Sequence, residues 1–326
     1  MLNNSDRLIL RKAEPLRPFL SDPKASEIVI NCQGEIWVEY KEKGWKVIKE
    51  PEITESWAFE LGNMLANKSG MRGFRDIPFI PAELPEGHRI QICCGDMIES
   101  KIAIAIRLSR KTTFTLDDFE LEKLGKTANE TDINIDNKQE LKKLLIDAIK
   151  AKANILVSGA TNSGKTQFLN ALLKEIPTDD RVITVEDTRE IQIPHIKNKV
   201  HFKTTALDDE EIRGQLNKIM DAILRLRPDR IFCGEIRSNN GASVIRMLNN
   251  GHKGFVSTIH ADSPRKALER LTDYIRTQKT PPPIDVVNKQ VKEGLDVVVQ
   301  LSRAKNSDKR VVSDILWSKN FYDAVE

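Results

Sequence analysis

The chain has 326 residues, of which 40% are hydrophobic and 30% charged, with a net charge of +3. That length supports two domains with sizeable cores, and charges of both signs interspersed along it argue against nucleic acid as a primary partner. No apolar run approaches the ~20 residues that span a bilayer. Residues 1–11 lack the apolar stretch of a signal peptide, and Cys32, Cys93, Cys94 and Cys233 form no C-x-x-C pair, which speaks against zinc-ribbon and thioredoxin-like chemistry and for free thiols in a reducing cytosol.

In chain order, residues 27–32 and 35–40 are rich in Ile, Val, Trp and Tyr and flank Gln33-Gly34, the pattern of a hairpin; 45–48 adds a third strand. Trp57, Leu61, Met64 and Leu65 recur at helical spacing. Residues 89–94 and 102–108 read as further strands around a turn at Gly95, with Cys93 and Cys94 on opposite faces. An N-terminal α+β domain over 1–110 is therefore expected. The polar stretch 111–137 reads as a linker. From 138 to 326, strands and helices alternate. Leu141, Leu144, Leu145, Ala148 and Ile149 mark a helix, 155–158 a buried strand, and Phe168, Leu169, Leu172 and Leu173 a second helix. Residues 182–185, 231–233 and 255–259 are strands, and 297–301 with 311–316 form a closing hairpin. Such alternation implies an α/β domain with a mostly parallel sheet.

Residues 159–166 read Gly159-Ala160-Thr161-Asn162-Ser163-Gly164-Lys165-Thr166, which satisfies G-x-x-x-x-G-K-[ST] with a strand before it and a helix after it. Gly159 and Gly164 let the backbone turn its N–H groups onto phosphate oxygens. Lys165 places a positive charge on the β- and γ-phosphates of ATP, and the Thr166 hydroxyl is a ligand for Mg²⁺. Asn162 stands where many such loops carry glycine, and asparagine tolerates a left-handed backbone better than most residues.

Hydrolysis also needs a carboxylate near the metal and the attacking water. Three strands end in polar clusters: Glu186-Asp187-Thr188, Gly234-Glu235-Ile236-Arg237, and Thr258-Ile259-His260. In open α/β sheets, ligands bind beyond the carboxyl ends of strands. Glu235 follows Gly234 where a Walker B strand usually carries aspartate, so the base is either Glu235 or Glu186, with Asp187 beside it. The turn Gly251-His252-Lys253-Gly254 has the basic groups of a phosphate sensor. His260, at a strand end, is a functional candidate, while His195 and His201 read as structural.

Taken together, the phosphate loop, the Asp-box-like Thr184-Val185-Glu186-Asp187-Thr188, the Walker B-like stretch 227–237 and the His-box-like stretch 251–260 resemble the traffic ATPases of type IV secretion systems, the VirB-eleven group. Residues 84–91 and 104–107 resemble that family's two arginine-bearing strands. The resemblance implies a RecA-like C-terminal domain, and Arg89 and Arg107 reaching the γ-phosphate from the N-terminal domain, with Arg227 also near the nucleotide. It further implies a homohexameric motor ATPase, peripheral to the cytoplasmic face of a bacterial inner membrane, that powers pilus assembly or substrate export with inner-membrane components as partners. The lack of a C-x-x-C motif and of the additional N-terminal domain usual in type II secretion ATPases favours the type IV secretion group. A type II or pilus motor is the alternative in the same chemical class. An ATP-binding scaffold with little turnover is another, suggested by Asn162 and Gly234.

Overall fold

The structure is a computed structural model that describes residues 3–40, 43–71, 73, 78–109, 114–121, 137–204, 210–249, 251–277, 280–304 and 309–318, with the backbone alone at 210–217. The chain divides into two compact units, Met1–Thr112 and Thr113–Glu326.

In the first unit, helix α1 (Asn4–Lys12) opens on a capping box in which the Asn3 side chain and Asp6 exchange hydrogen bonds with each other's backbone. A short helix α2 (Arg17–Leu20) leads to strands β1 (Ala25–Ile30), β2 (Glu35–Tyr40) and β3 (Gly44–Lys49). Helix α3 (Glu55–Lys68) follows, its N-terminus capped by Thr54, whose hydroxyl accepts the Trp57 N–H at 3.1 Å. Strands β4 (Phe79–Glu83), β5 (Arg89–Cys94) and β6 (Ile102–Arg107) complete an antiparallel sheet of order β3-β2-β1-β6-β5-β4. Period-two alternation turns Ile28, Ile30, Val38, Ile90, Ile92 and Ile104 inward against Trp57, Leu61 and Leu65 of α3. Cys94 is buried and Cys93 only half so, as alternation requires. Burial pushes the Cys94 thiol up to about 12.

That alternation sets Glu39, Glu27, Arg107, Arg89 and Glu83 in one row across five strands, on the face away from this core. Arg89 and Arg107 are direct cross-strand partners. Like charges so placed repel each other, an arrangement that carboxylates on both flanks offset. The strand expected over 27–32 runs two residues earlier. Strand β4 escapes a sequence reading because of Pro81, which an edge strand tolerates.

In the second unit, β7 (Glu120–Leu121) and α4 (Lys138–Lys150) precede β8 (Ile155–Gly159), α5 (Lys165–Leu173), β9 (Val182–Glu186) and β10 (Lys199–Lys203). Next come α6 (Glu210–Arg225), β11 (Arg230–Cys233), α7 (Gly241–Asn249), β12 (Val256–Ile259), α8 (Pro264–Arg276) and α9 (Ile284–Gly294), then the hairpin β13 (Val297–Arg303) and β14 (Arg310–Trp317). The sheet order is β10-β9-β11-β12-β8-β13-β14-β7, and every neighbouring pair is parallel except β13–β14. The fold class is the expected one: a mostly parallel α/β sheet beside a smaller α+β unit.

The stretch 111–137 is not wholly a linker. Residues 114–121 belong to the second unit. Leu116 and Phe119 are buried in its core, Phe119 meets Phe168 of α5 edge-on at 4.9 Å, and Arg310 lies 4.7 Å over the Phe114 ring. Asn137 caps α4. Residues 111–113 and 122–136 of that stretch lie outside the described residues.

A buried charge ties this core together. Arg230, at the start of β11, is fully buried. Its Nε donates to Asp180 Oδ2 at 2.5 Å, and its other nitrogens donate to the carbonyls of Ile149 and Lys150 at the C-terminal end of α4, where the helix dipole favours a cation. Removing the guanidinium takes its N–H groups from two carbonyls and leaves Asp180, which is mostly buried, with the half-exposed Lys152 at 3.3 Å as its remaining ion-pair partner among the described residues. Arg230→Met is therefore expected to cost about 3–5 kcal/mol of unfolding free energy in urea titrations; a loss under ~1 kcal/mol would show the pair to be dispensable.

Candidate functional site

Strand β8 is buried throughout and runs parallel to β12 on one side and β13 on the other, so its last residue, Gly159, lies at the carboxyl edge of the sheet. The chain must turn there in close quarters. A Cβ on Gly159 would sit 2.4 Å from Ser163 Oγ and 2.7 Å from the Leu301 carbonyl. Asn162 takes φ 62° and Gly164 φ 93°, so the asparagine adopts the left-handed backbone expected of it. Arg303 Nε donates to the Asn162 carbonyl at 3.0 Å. Helix α5 starts at Lys165 with no side chain capping its N-terminus. Lys165 is buried, and its Nζ donates to the Gly159 and Ala160 carbonyls, each at 2.9 Å. Ser163 Oγ is buried with no hydrogen-bond partner among the described residues. An uncapped helix start, an orphaned hydroxyl and an ammonium at one glycine turn fit a polyphosphate.

Parallel pairing brings the ends of β9, β11 and β12 to this same edge, and with them Glu186, Asp187, Glu235 and His260. Glu186 is buried, which pushes its carboxyl up to about 7, and its Oε1 accepts the N–H groups of Glu190 and Ile191, both at 2.9 Å. Gly234 fits around it, since a Cβ there would come within 3.2 Å of Glu186 Cγ. The glycine in place of a Walker B aspartate thus has a packing reason: the Glu186 side chain occupies that space.

Glu235 is held from two sides. Arg237 donates to its Oε2 through Nε at 2.9 Å and Nη2 at 2.7 Å, and His260 Nε2 lies 2.9 Å from its Oε1. Arg237 Nη1 also donates to Asp187 Oδ2 at 3.0 Å. His260 Nδ1 faces Lys165 Nζ at 3.2 Å. An ammonium only donates, so Nδ1 accepts and the ring proton is assigned to Nε2, which donates to Glu235. Burial first, and the Lys165 charge next, hold His260 below its ordinary imidazole value and so in this neutral form. Lys165, His260, Glu235, Arg237 and Asp187 form one connected chain. Glu235, Arg237 and His260 line a cleft of about 540 Å³ together with Ala160 and Thr161 of the loop.

Two groups expected near the phosphates lie elsewhere within this chain. Arg227 precedes β11 and the 251–254 turn precedes β12, so both sit at the amino edge of the sheet, opposite the loop. The Gly254 N–H donates to the Lys152 carbonyl, just ahead of β8. Position next to a motif in sequence did not reveal which end of the strand each would occupy. Arg227 also adopts φ 53°, which is strained for an arginine. Arg89 and Arg107 belong to the first unit. His201 ties Thr184 to Arg189, the structural part expected of it. Arg237 follows Glu235 in the Walker B-like stretch, yet its link to Asp187, fifty residues away, is a long-range contact that no local pattern announces.

A family model described as Type II/IV secretion system protein matches residues 10–323. The chain belongs to that family. Among members of the type II/IV secretion system family, the type IV secretion system protein VirB11 of Bartonella henselae is 29% identical over 93% of this chain and 91% of its own length. PtlH of Bordetella pertussis, also a type IV secretion system protein, is 30% identical, covering 93% of each chain. Among solved structures, the VirB11 ATPase of the Brucella suis type IV secretion system, in complex with sulphate, is 26% identical, with 98% of this chain and 97% of that one covered at a TM-score of 0.50. The pilus retraction motor PilT, at 17% identity, covers 100% of this chain and 86% of its own with a TM-score of 0.63, and shares the fold. Type IV members of the secretion ATPase family are thus the relatives that the four motifs implied. No helix among the described residues is long and apolar enough to cross a membrane.

Proposed function

We propose that this chain is a motor ATPase of a type IV secretion system that hydrolyses ATP at the 159–166 loop. The observation that carries the proposal is the joining of Lys165 to Glu235 through His260, beside a cleft that Glu235, His260 and the loop residues Ala160 and Thr161 line. Backbone amides of residues 160–166 and the start of α5 receive the phosphate chain, and Lys165 balances its charge. Mg²⁺, held by the Thr166 hydroxyl, would draw negative charge from the β- and γ-phosphates. Glu235 takes the proton of the attacking water, oriented by His260, while Glu186 holds the turn after β9 and stands as the second candidate base. Asp187 acts through Arg237. Arg89 and Arg107, side by side on one sheet face, supply guanidinium charge to the γ-phosphate during transfer. Arg227, at the far edge of the sheet, could serve only a nucleotide bound by a neighbouring copy.

Assembly as a homohexamer, peripheral to the inner membrane and in contact with membrane components of the apparatus, belongs to the same proposal and rests on the type IV relatives. They favour type IV secretion over a type II or pilus pathway. Against the scaffold alternative, Asn162 takes the left-handed backbone of the loop and Gly234 makes room for Glu186. The test is Mg²⁺-dependent ATP turnover by the purified protein. Within that assay, Arg107→Ala is expected to lower kcat about 10²-fold while changing nucleotide affinity no more than about threefold. An unchanged kcat would remove the arginine pair from the mechanism.

A further inference from the structure

Resting on the ATP-hydrolysis proposal, we propose that Arg237 is a positioning residue for that reaction: it fixes Glu235 by one carboxylate oxygen and leaves the other turned to His260. All three of its side-chain hydrogen bonds among the described residues go to carboxylates, two to Glu235 Oε2 and one to Asp187 Oδ2. The guanidinium fork is suited to this, because its donors are rigidly splayed and can hold two acids at once.

A merely structural role is the alternative, since Arg237 lies in the turn before α7. That turn is already secured without the guanidinium. The Arg237 backbone N–H donates to Asn240 Oδ1 at 2.8 Å, Asn240 Nδ2 donates to the Glu235 carbonyl at 2.8 Å, and the Ile236 N–H donates to the Thr258 carbonyl at 2.8 Å. Thr258 Oγ1 further donates to the Gly234 carbonyl at 2.8 Å. The Arg237 side chain is 40% exposed and lines the cleft, so it is neither filling a core nor buried by the fold. What depends on it is the orientation of Glu235. Without it, two carboxylates lose the cation they share, and Glu235 is held by His260 alone. Among the described residues the other groups joined to the Glu235 carboxylate are His260 and, through it, Lys165; neither replaces a cation on Oε2.

The test compares wild type, Arg237→Ala and Arg237→Lys in steady-state ATP hydrolysis, with equilibrium binding of a fluorescent ADP analogue measured in parallel. The expected result is a kcat about 10²-fold lower in Arg237→Ala, with KM and ADP affinity within about threefold of wild type. Because the side chain opens to the cleft, millimolar guanidinium is expected to restore at least a tenth of the lost kcat, whereas methylammonium is not. Arg237→Lys is expected to remain at least tenfold impaired, since a single ammonium cannot fork between Asp187 and Glu235. A kcat within threefold of wild type in Arg237→Ala overturns the inference, as does a loss of ADP binding that accompanies the loss of turnover and resists guanidinium. Absence of turnover in the wild type itself would instead overturn the functional proposal on which the inference stands.

Discussion

Replacing Lys165 with alanine should lower ATP turnover by about 10³-fold and weaken nucleotide binding together with it. At an effective dielectric near 20, unit charges ~4 Å apart attract by about 4 kcal/mol, equivalent to about 10³ in an equilibrium or rate constant. Lys165 is buried at the start of an uncapped helix, and the arginines near it are engaged elsewhere: Arg310 lies over the Phe114 ring and Arg270 donates to the His260 carbonyl. Arg303 engages the Asn162 carbonyl, and Arg237 is committed to two carboxylates. The substitution also frees His260 Nδ1 from its ammonium partner, which reaches Glu235 through the ring. Both binding and kcat should therefore suffer, and steady-state kinetics with parallel nucleotide titration separate the two. Turnover within tenfold of wild type would mean that the loop does not hold the reacting phosphates.

Glu235→Gln should reduce kcat by about 10²–10⁴-fold, the range over which general acid–base catalysis operates, and leave nucleotide affinity within about threefold. The amide keeps the volume, and its one oxygen can still accept from either Arg237 or His260 but not from both, so the fold and the cleft should survive while one of the two contacts is lost. It cannot take a proton from water. Glu186 is the competing base, and one property favours it: a carboxyl near 7 is well matched to proton abstraction at neutral pH. Its geometry is less favourable, because it is buried and its Oε1 already serves two backbone N–H groups. Full activity in Glu235→Gln would transfer the role to Glu186, and loss of activity in Glu186→Gln would then be required.

The parts of the site that sequence reveals are those set by local spacing. The loop 159–166 dictates a strand before it, a turn within it and a helix after it, and the alternation of strands and helices dictates a parallel sheet. Parallel strands then carry Glu186, Glu235 and His260 to one edge without further information. What sequence hides depends on register and distant contacts. Arg227 and the 251–254 turn lie next to functional stretches in the chain, yet at the opposite edge of the sheet in space. Residues 114–121 look like linker because they sit inside the mostly polar stretch 111–137, whereas Leu116 and Phe119 make them part of a core. Helix α1 has few apolar residues and is signalled chiefly by its capping box. Strand β10, with Lys199 and Lys203 at its ends, is an edge strand without the apolar pattern of its neighbours. Gly234 reads as a defect in a Walker B strand until the Glu186 side chain is seen against it.

The most direct measurement is equilibrium titration of the purified chain with ATP and ADP in the presence of Mg²⁺. A loop built as this one is should give saturable binding at one site per chain, and Lys165→Ala should weaken that binding. Titrations that never saturate, or that look the same with and without Lys165, would contradict the claim that the turn after β8 grips a nucleotide.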